Sequence, residues 1–172
     1  NQAPESTGLP EPPSASEPVA VGGDHVLATI CPSGHPNQPG TATCRVCGQG
    51  LDARAVQLIP TPVLARLVVS SGEVIALSRP VLLGRAPVPP GNDTNVILVR
   101  LASPQHDISR THCLISPRDW SVEVTDMGST NGTVVTNPGQ SPVPLEPHEP
   151  FVAELGAVVD VGDGQFVRID PA

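Results

Sequence analysis

The sequence contains no lysine and no tyrosine, and only two Phe and one Trp. With aromatics at 2% of the chain, any core must be built from Val, Leu and Ile, a composition that favours strands over helices. All nine basic residues are Arg, set against 17 acids, for a net charge of −8. That balance excludes broad nucleic-acid binding, which needs an extended basic field; it leaves room for one local basic pocket. No apolar run approaches the roughly 20 residues that span a bilayer, and no signal-peptide pattern opens the chain. The first residue is Asn rather than Met, so the expectation is a cytoplasmic fragment of a longer protein. What the chain has in abundance is turn chemistry, with 22 Pro and 16 Gly, as expected for many short strands joined by tight connections.

Residues 1–25 carry five prolines within the first 18 positions, three Glu, several Ser and no lysine or arginine. Such a stretch cannot bury enough apolar surface to offset its ordering entropy and is expected to be a disordered, acidic Pro/Glu-rich linker. Its Thr7 is a candidate phosphorylation site through which the tail could regulate the rest of the chain.

Residues 26–50 change character. Cys31, His35, Cys44 and Cys47 form a C-x3-H-x8-C-x2-C pattern. A structural zinc ion takes four Cys or His ligands in a tetrahedron, and two chelating turns joined by a short loop can supply them. Gly34 and Gly48 stand where such turns need positive φ. The segment has too few large apolar side chains for its own core, so metal would supply its folding energy. Two other readings stand beside structural zinc: a disulfide would leave one of three clustered cysteines unpaired, and a redox Cys44/Cys47 pair lacks a following helix. The stretch resembles the zinc ribbons or knuckles found in many bacterial regulatory proteins. Residues 51–62 read as a connector, either one helical turn or extended, closed by Pro60 and Pro62.

From residue 63 to 172 the pattern is β. Val63 to Val69 and Glu73 to Leu77 read as a hairpin around Ser71-Gly72. Further strands are expected at Val81 to Leu83, Asn95 to Val99, His112 to Ser116, Trp120 to Thr125, Gly132 to Val135, Ala157 to Val161 and Gln165 to Ile169. Residues 137–150 read as a long Pro-rich connection. The fold class is therefore all-β, an antiparallel sandwich preceded by the small zinc-binding module and the linker.

Three polar stretches punctuate these strands: Gly84-Arg85, Ser109-Arg110-Thr111-His112 and Ser129-Thr130-Asn131-Gly132. A phosphomonoester carries close to two negative charges and three acceptor oxygens. A selective reader of it needs guanidinium, hydroxyl and amide donors held on rigid loops. Arg85, Ser109, Arg110, Thr130 and Asn131 are those types, and their loops are predicted to gather at one end of the sandwich.

The ordered set Gly84-Arg85, Ser109-Arg110-x-His112 and Asp126-x-Gly128-Ser129-Thr130-Asn131-Gly132-Thr133, with Leu155-Gly156 later, resembles the forkhead-associated domain. That family is a phosphothreonine-binding β-sandwich, and the resemblance covers the chain from about Val63 to Ile169. It implies that Arg85 and Ser109 hold the phosphate, and that Arg110 and Thr130 touch the phosphate or the peptide backbone. It further implies that Asn131 orients the bound peptide, that Gly84, His112 and Gly132 are architectural, and that threonine is preferred over serine. The Pro-rich stretch from Pro87 to His106 is longer than the family leads one to expect and borders the site.

The expected function is thus an adaptor that recruits partners phosphorylated by a Ser/Thr kinase, with no nucleic-acid or membrane partner. The alternative is a scaffold or interaction protein centred on the zinc module, with the sandwich mainly structural. Catalysis is not expected. Ser109, His112 and Asp126 are hydrolase residue types, but no nucleophile elbow or oxyanion motif accompanies them. Cys113 reads as a buried core thiol and Trp120 as core or edge packing.

Overall fold

The computed structural model describes residues 25–91 and 93–172. The linker reading of the first 24 residues and its Thr7 lie outside them, whereas His25 opens the first strand. Among the described residues there are strands and turns and no helix, fourteen strands in all, as the aliphatic, Pro- and Gly-rich composition dictates.

The first three strands make a small sheet of their own. β1 (His25–Ile30), β2 (Pro36–Asn37) and β3 (Val56–Pro60) are arranged in the order β2-β1-β3. All pairs are antiparallel, with Leu27 opposite Leu58 and Thr29 opposite Asn37. The extended reading of residues 51–62 therefore holds over Val56–Pro60, and that segment completes the module's sheet rather than merely connecting it. Because β2 meets only Thr29 and Ile30, the edge of β1 from His25 to Ala28 has no strand on that side among the described residues.

The remaining strands form two sheets. β4 (Ala65–Val69), β5 (Val74–Ala76), β10 (Val134–Thr136), β11 (Val143–Pro144), β13 (Val158–Gly162) and β14 (Gln165–Pro171) make one, ordered β11-β10-β13-β14-β4-β5. β6 (Val81–Gly84), β7 (Ile97–Arg100), β8 (Cys113–Arg118), β9 (Ser121–Asp126) and β12 (Phe151–Ala153) make the other, ordered β12-β9-β8-β6-β7. The β4–β5 and β13–β14 hairpins form as expected. The pair β6–β7 is the exception to antiparallel pairing, running parallel from Val81↔Ile97 to Gly84↔Arg100. A parallel neighbour requires a crossover of about a dozen residues, and the Pro-rich stretch after Arg85 provides it. β11 and β12 were not foreseen; each is two or three residues long and flanked by Pro, too short to show a period.

Alternation places one face of each strand inward. Leu67 and Val69 of β4, Val122 and Val124 of β9, Val159 of β13, and Val167 and Ile169 of β14 are buried together with Leu83, Ile108 and Ile115. At roughly 1.5–3 kcal/mol per fully buried aliphatic side chain, this Val/Leu/Ile core replaces the missing aromatics. Cys113 belongs to it, as expected of a core thiol, and burial pushes that thiol's pKa far up.

The small sheet contacts the sandwich at the β8–β9 turn. The indole N–H of Trp120 donates to the Leu27 carbonyl over 3.1 Å, and the Arg45 guanidinium lies 5.5 Å from the centre of the Trp120 ring. Trp120 is thus neither core nor simple edge packing: it joins the two parts of the chain.

Candidate functional site

The topology brings three strand ends together. β8 runs antiparallel to both β6 and β9, with Leu83 opposite Cys113 and Cys113 opposite Asp126. The end of β6, the start of β8 and the end of β9 therefore share one end of the sandwich. The three polar stretches leave from these ends.

Gly84 is where two of them cross. A Cβ at this position would lie 1.9 Å from the Arg110 carbonyl oxygen and 3.0 Å from that of Ser109, so only glycine permits the approach. The approach is then locked by main-chain bonds. The Arg85 N–H donates to the Ser109 carbonyl over 3.0 Å, and the Ala86 N–H to the Arg110 carbonyl over 3.1 Å. The Arg85 side chain donates Nε–H to the Ile108 carbonyl over 3.3 Å. Its terminal nitrogens remain available, and among the described residues no carboxylate pairs with Arg85 or Arg110.

The third loop is tied to the second. The Thr130 N–H donates to Ser109 Oγ over 3.0 Å, and the Asn131 side-chain amide donates to the Asp107 carbonyl over 2.9 Å. With its oxygen already accepting, Ser109 has its own O–H proton to offer an anion. Thr130, Asn131 and Arg110 are exposed, whereas Arg85 and Ser109 are half-buried. Gly132 takes φ of 82° at the exit of the loop, a left-handed conformation that favours glycine.

His112 braces this arrangement from beneath and is fully buried. Its Nδ1 accepts the Ser109 N–H over 3.1 Å, and Nε2 lies 2.8 Å from the Gly132 carbonyl. Those partners define a neutral ring with its proton on Nε2. Burial lowers its pKa, despite the opposing pull of the Gly132 carbonyl and the Asp126 charge. Thr111, to which the sequence assigns no role, accepts the Val88 N–H over 3.2 Å and tethers the following loop.

Asp126 is the residue whose importance the sequence understates. Its buried carboxylate accepts the main-chain N–H groups of Gly128 (3.1 Å) and Ser129 (3.0 Å), the Thr133 hydroxyl (2.7 Å) and the Ser129 hydroxyl. Burial works against its ionisation, but these bonds and the neighbouring His112 outweigh it and hold the carboxyl below its ordinary range. An Asp followed two residues later by Gly, Ser and Thr is the signal from which such a loop-binding carboxylate can be read.

The second cluster is in the small module. Ligand atoms of Cys31, His35, Cys44 and Cys47 all lie within 4.8 Å of one another, a set that can hold a metal ion. The Sγ atoms of Cys31 and Cys47 are 3.8 Å apart, and Cys31 Sγ is 3.3 Å from His35 Nδ1. A tetrahedral ion with bonds of about 2.3 Å to sulfur sets its thiolates roughly 3.8 Å apart. Gly34 and Gly48 adopt φ of 87° and 73° and close the two turns through N–H bonds to the carbonyls of Cys31 and Cys44. The N–H groups of His35 and Val46 approach the sulfurs of Cys31 and Cys44. Burial opposes ionisation of Cys44, but N–H donors from Cys47 and Val46 and the Asn37 amide bring the thiol down to about 5.

Residues 81–162 match the family pattern of the FHA domain. Several solved structures are similar to part of the chain. An FHA domain studied for phosphothreonine-dependent interactions is 26% identical, with 63% of this chain and 99% of that one covered and a TM-score of 0.43. The FHA domain of human APLF, solved with an XRCC1 bisphospho peptide, is 19% identical over 62% of this chain and 97% of that one, at 0.45. The FHA domain of an Arabidopsis thaliana protein is 19% identical over 65% and 88%, at 0.47. No curated protein matches the sequence. The match to the FHA family pattern begins at the strand that leads into Gly84-Arg85 and takes in all three polar loops.

Proposed function

We infer that this chain binds phosphothreonine-containing peptides at the loop end of its sandwich. In this reading Arg85 and Ser109 hold the phosphate, while Arg110 and Thr130 contribute to the phosphate or the peptide backbone. Asn131 orients the bound peptide. Gly84, His112 and Gly132 keep the loops in register. The observation that carries the reading is the bond from the Thr130 N–H to Ser109 Oγ beside two guanidiniums without a carboxylate partner. It aims a hydroxyl and positive charge at one place and leaves both unneutralised, the requirement for taking up a dianion. The comparison proteins described as phosphothreonine-dependent or solved with a phosphorylated peptide point the same way. A Ser/Thr kinase would act upstream, and the chain would recruit its phosphorylated product as an adaptor, in signalling typical of a bacterial cytoplasm.

Titration with phosphothreonine peptides tests this. Arg85→Ala is expected to cost about 1.5–3 kcal/mol, or roughly a 10- to 150-fold rise in Kd. Equal affinity for phosphorylated and unphosphorylated peptides would sink the reading.

The companion element of the reading is a structural zinc ion on Cys31, His35, Cys44 and Cys47. The sulfur spacing and the N–H bonds to sulfur support it. Metal analysis of protein purified without chelator should return one zinc per chain, lost in a Cys44→Ser variant.

A further inference from the structure

A groove of about 560 Å³ runs along the seam between the small sheet and the β8–β9 turn. It lies at the far end of β8 from the arginine loops. Val26 and Leu27 line one side, Pro39 closes another, and Arg118 and the half-buried Trp120 form the opposite wall. The edge of β1 from His25 to Ala28 has no strand beside it on the β2 side among the described residues. Trp120 offers an aromatic surface steadied by its bond to Leu27, and Arg45 and Arg118 bring positive charge to the rim. Grooves with an aromatic wall take proline-rich segments, whose polyproline II conformation is already ordered before binding.

We propose that the proline-rich stretch of this chain centred on Pro10-Glu11-Pro12-Pro13 occupies the groove. The chain enters the described residues at His25, which itself lines the groove. Eleven residues separate Pro13 from His25, Gly22-Gly23 among them. Such a spacer has a root-mean-square reach of about 18 Å, enough to bring the proline segment back along the seam. The stretch carries Glu5, Glu11 and Glu17 and no base, complementary to Arg45; Arg118 is paired with Glu123, and Asp119 is the single acid in the lining. A tether this short gives an effective concentration in the millimolar range, so a weak contact suffices. The occupied groove would splint the small module to the sandwich and close the open edge of β1.

The single Trp of the chain reports on the groove directly. Emission spectra and amide and indole NMR resonances are compared for the full chain and a chain starting at Val19. Loss of the first 18 residues is expected to shift Trp120 emission to the red and to move the Trp120 indole and Leu27 amide resonances. A synthetic peptide of residues 1–18, added at millimolar concentration, should reverse both changes. The full-length triple variant Pro10→Ala, Pro12→Ala, Pro13→Ala should resemble the shortened chain, with its sandwich resonances unmoved. Identical spectra for the full and shortened chains overturn the proposal. A difference that disappears on tenfold dilution also overturns it, assigning the groove to a second copy. Arg85→Ala should leave the Trp120 response unchanged, so the outcome is independent of phosphopeptide binding.

Discussion

At the scale of single residues, three positions hold the polar loops in place. Gly84 permits the closest approach in the site, and Gly84→Ala would drive a methyl group into the Arg110 carbonyl. Backbone cannot yield as a flexible side chain does, so we expect a loss of at least about 2 kcal/mol of stability, read as a lower urea midpoint, together with loss of phosphopeptide binding. His112 makes the site pH-sensitive. Its folded pKa lies below the ordinary value of 6.5, so the unfolded chain takes up a proton first and stability falls as pH drops below about 6.5. Asp126, also depressed, adds a further loss only below its ordinary 3.8. Melting temperatures measured from pH 8 to 5.5 should decline more steeply for the wild type than for His112→Gln. The difference between the two isolates the contribution of the His112 imidazole.

At the scale of elements, β1 carries one unresolved polar group. The Thr29 hydroxyl is fully buried and has no hydrogen-bond partner, a condition that costs about 1–3 kcal/mol. Thr29→Val keeps the shape and β-branching and removes that group. It is expected to stabilise the small sheet by about 1 kcal/mol, measured as slower amide exchange at Val26 and Ala28 without change in phosphopeptide affinity. β6 shows the reverse case, in which a strand serves the site directly. All four of its residues are buried, and its end delivers Gly84 and Arg85 between the crossover to β7 and the Ser109 loop. The β8–β9 hairpin spans the sandwich, with Cys113 and Asp126 at the end that carries the arginine loops and Trp120 at the turn.

At the scale of the whole molecule, the chain has two working ends. The loops around Arg85 and Ser109 occupy one, and the small module sits against the other. Removing the zinc proposed for the small module is therefore expected to have a divided effect. The module buries few large apolar side chains, Val26 among them, so its order would depend on the proposed ion, whereas the sandwich has its own aliphatic core. Chelation should collapse the resonances of residues 25–60 while the sandwich resonances and the phosphopeptide Kd remain in place. A simultaneous loss of both would refute the separation.

Much of this was legible in the residues. The aliphatic composition, the period-two alternation and the turn residues determine an all-β fold, because strand burial is decided locally by which alternate side chains are apolar. The spacing of Cys31, His35, Cys44 and Cys47, with Gly34 and Gly48, determines a chelating module for the same local reason, since each turn is built from four or five neighbouring residues. The order of the three polar motifs points to the FHA domain. What only the tertiary structure decided depends on contacts distant in sequence. These are the parallel placement of β7, the strands β11 and β12, the pairing of β3 with β1, the buried carboxylate of Asp126 beneath its loop, and Trp120 as the joint to Leu27. No local pattern encodes them, because each is set by which surfaces remain to be covered once the two sheets have packed.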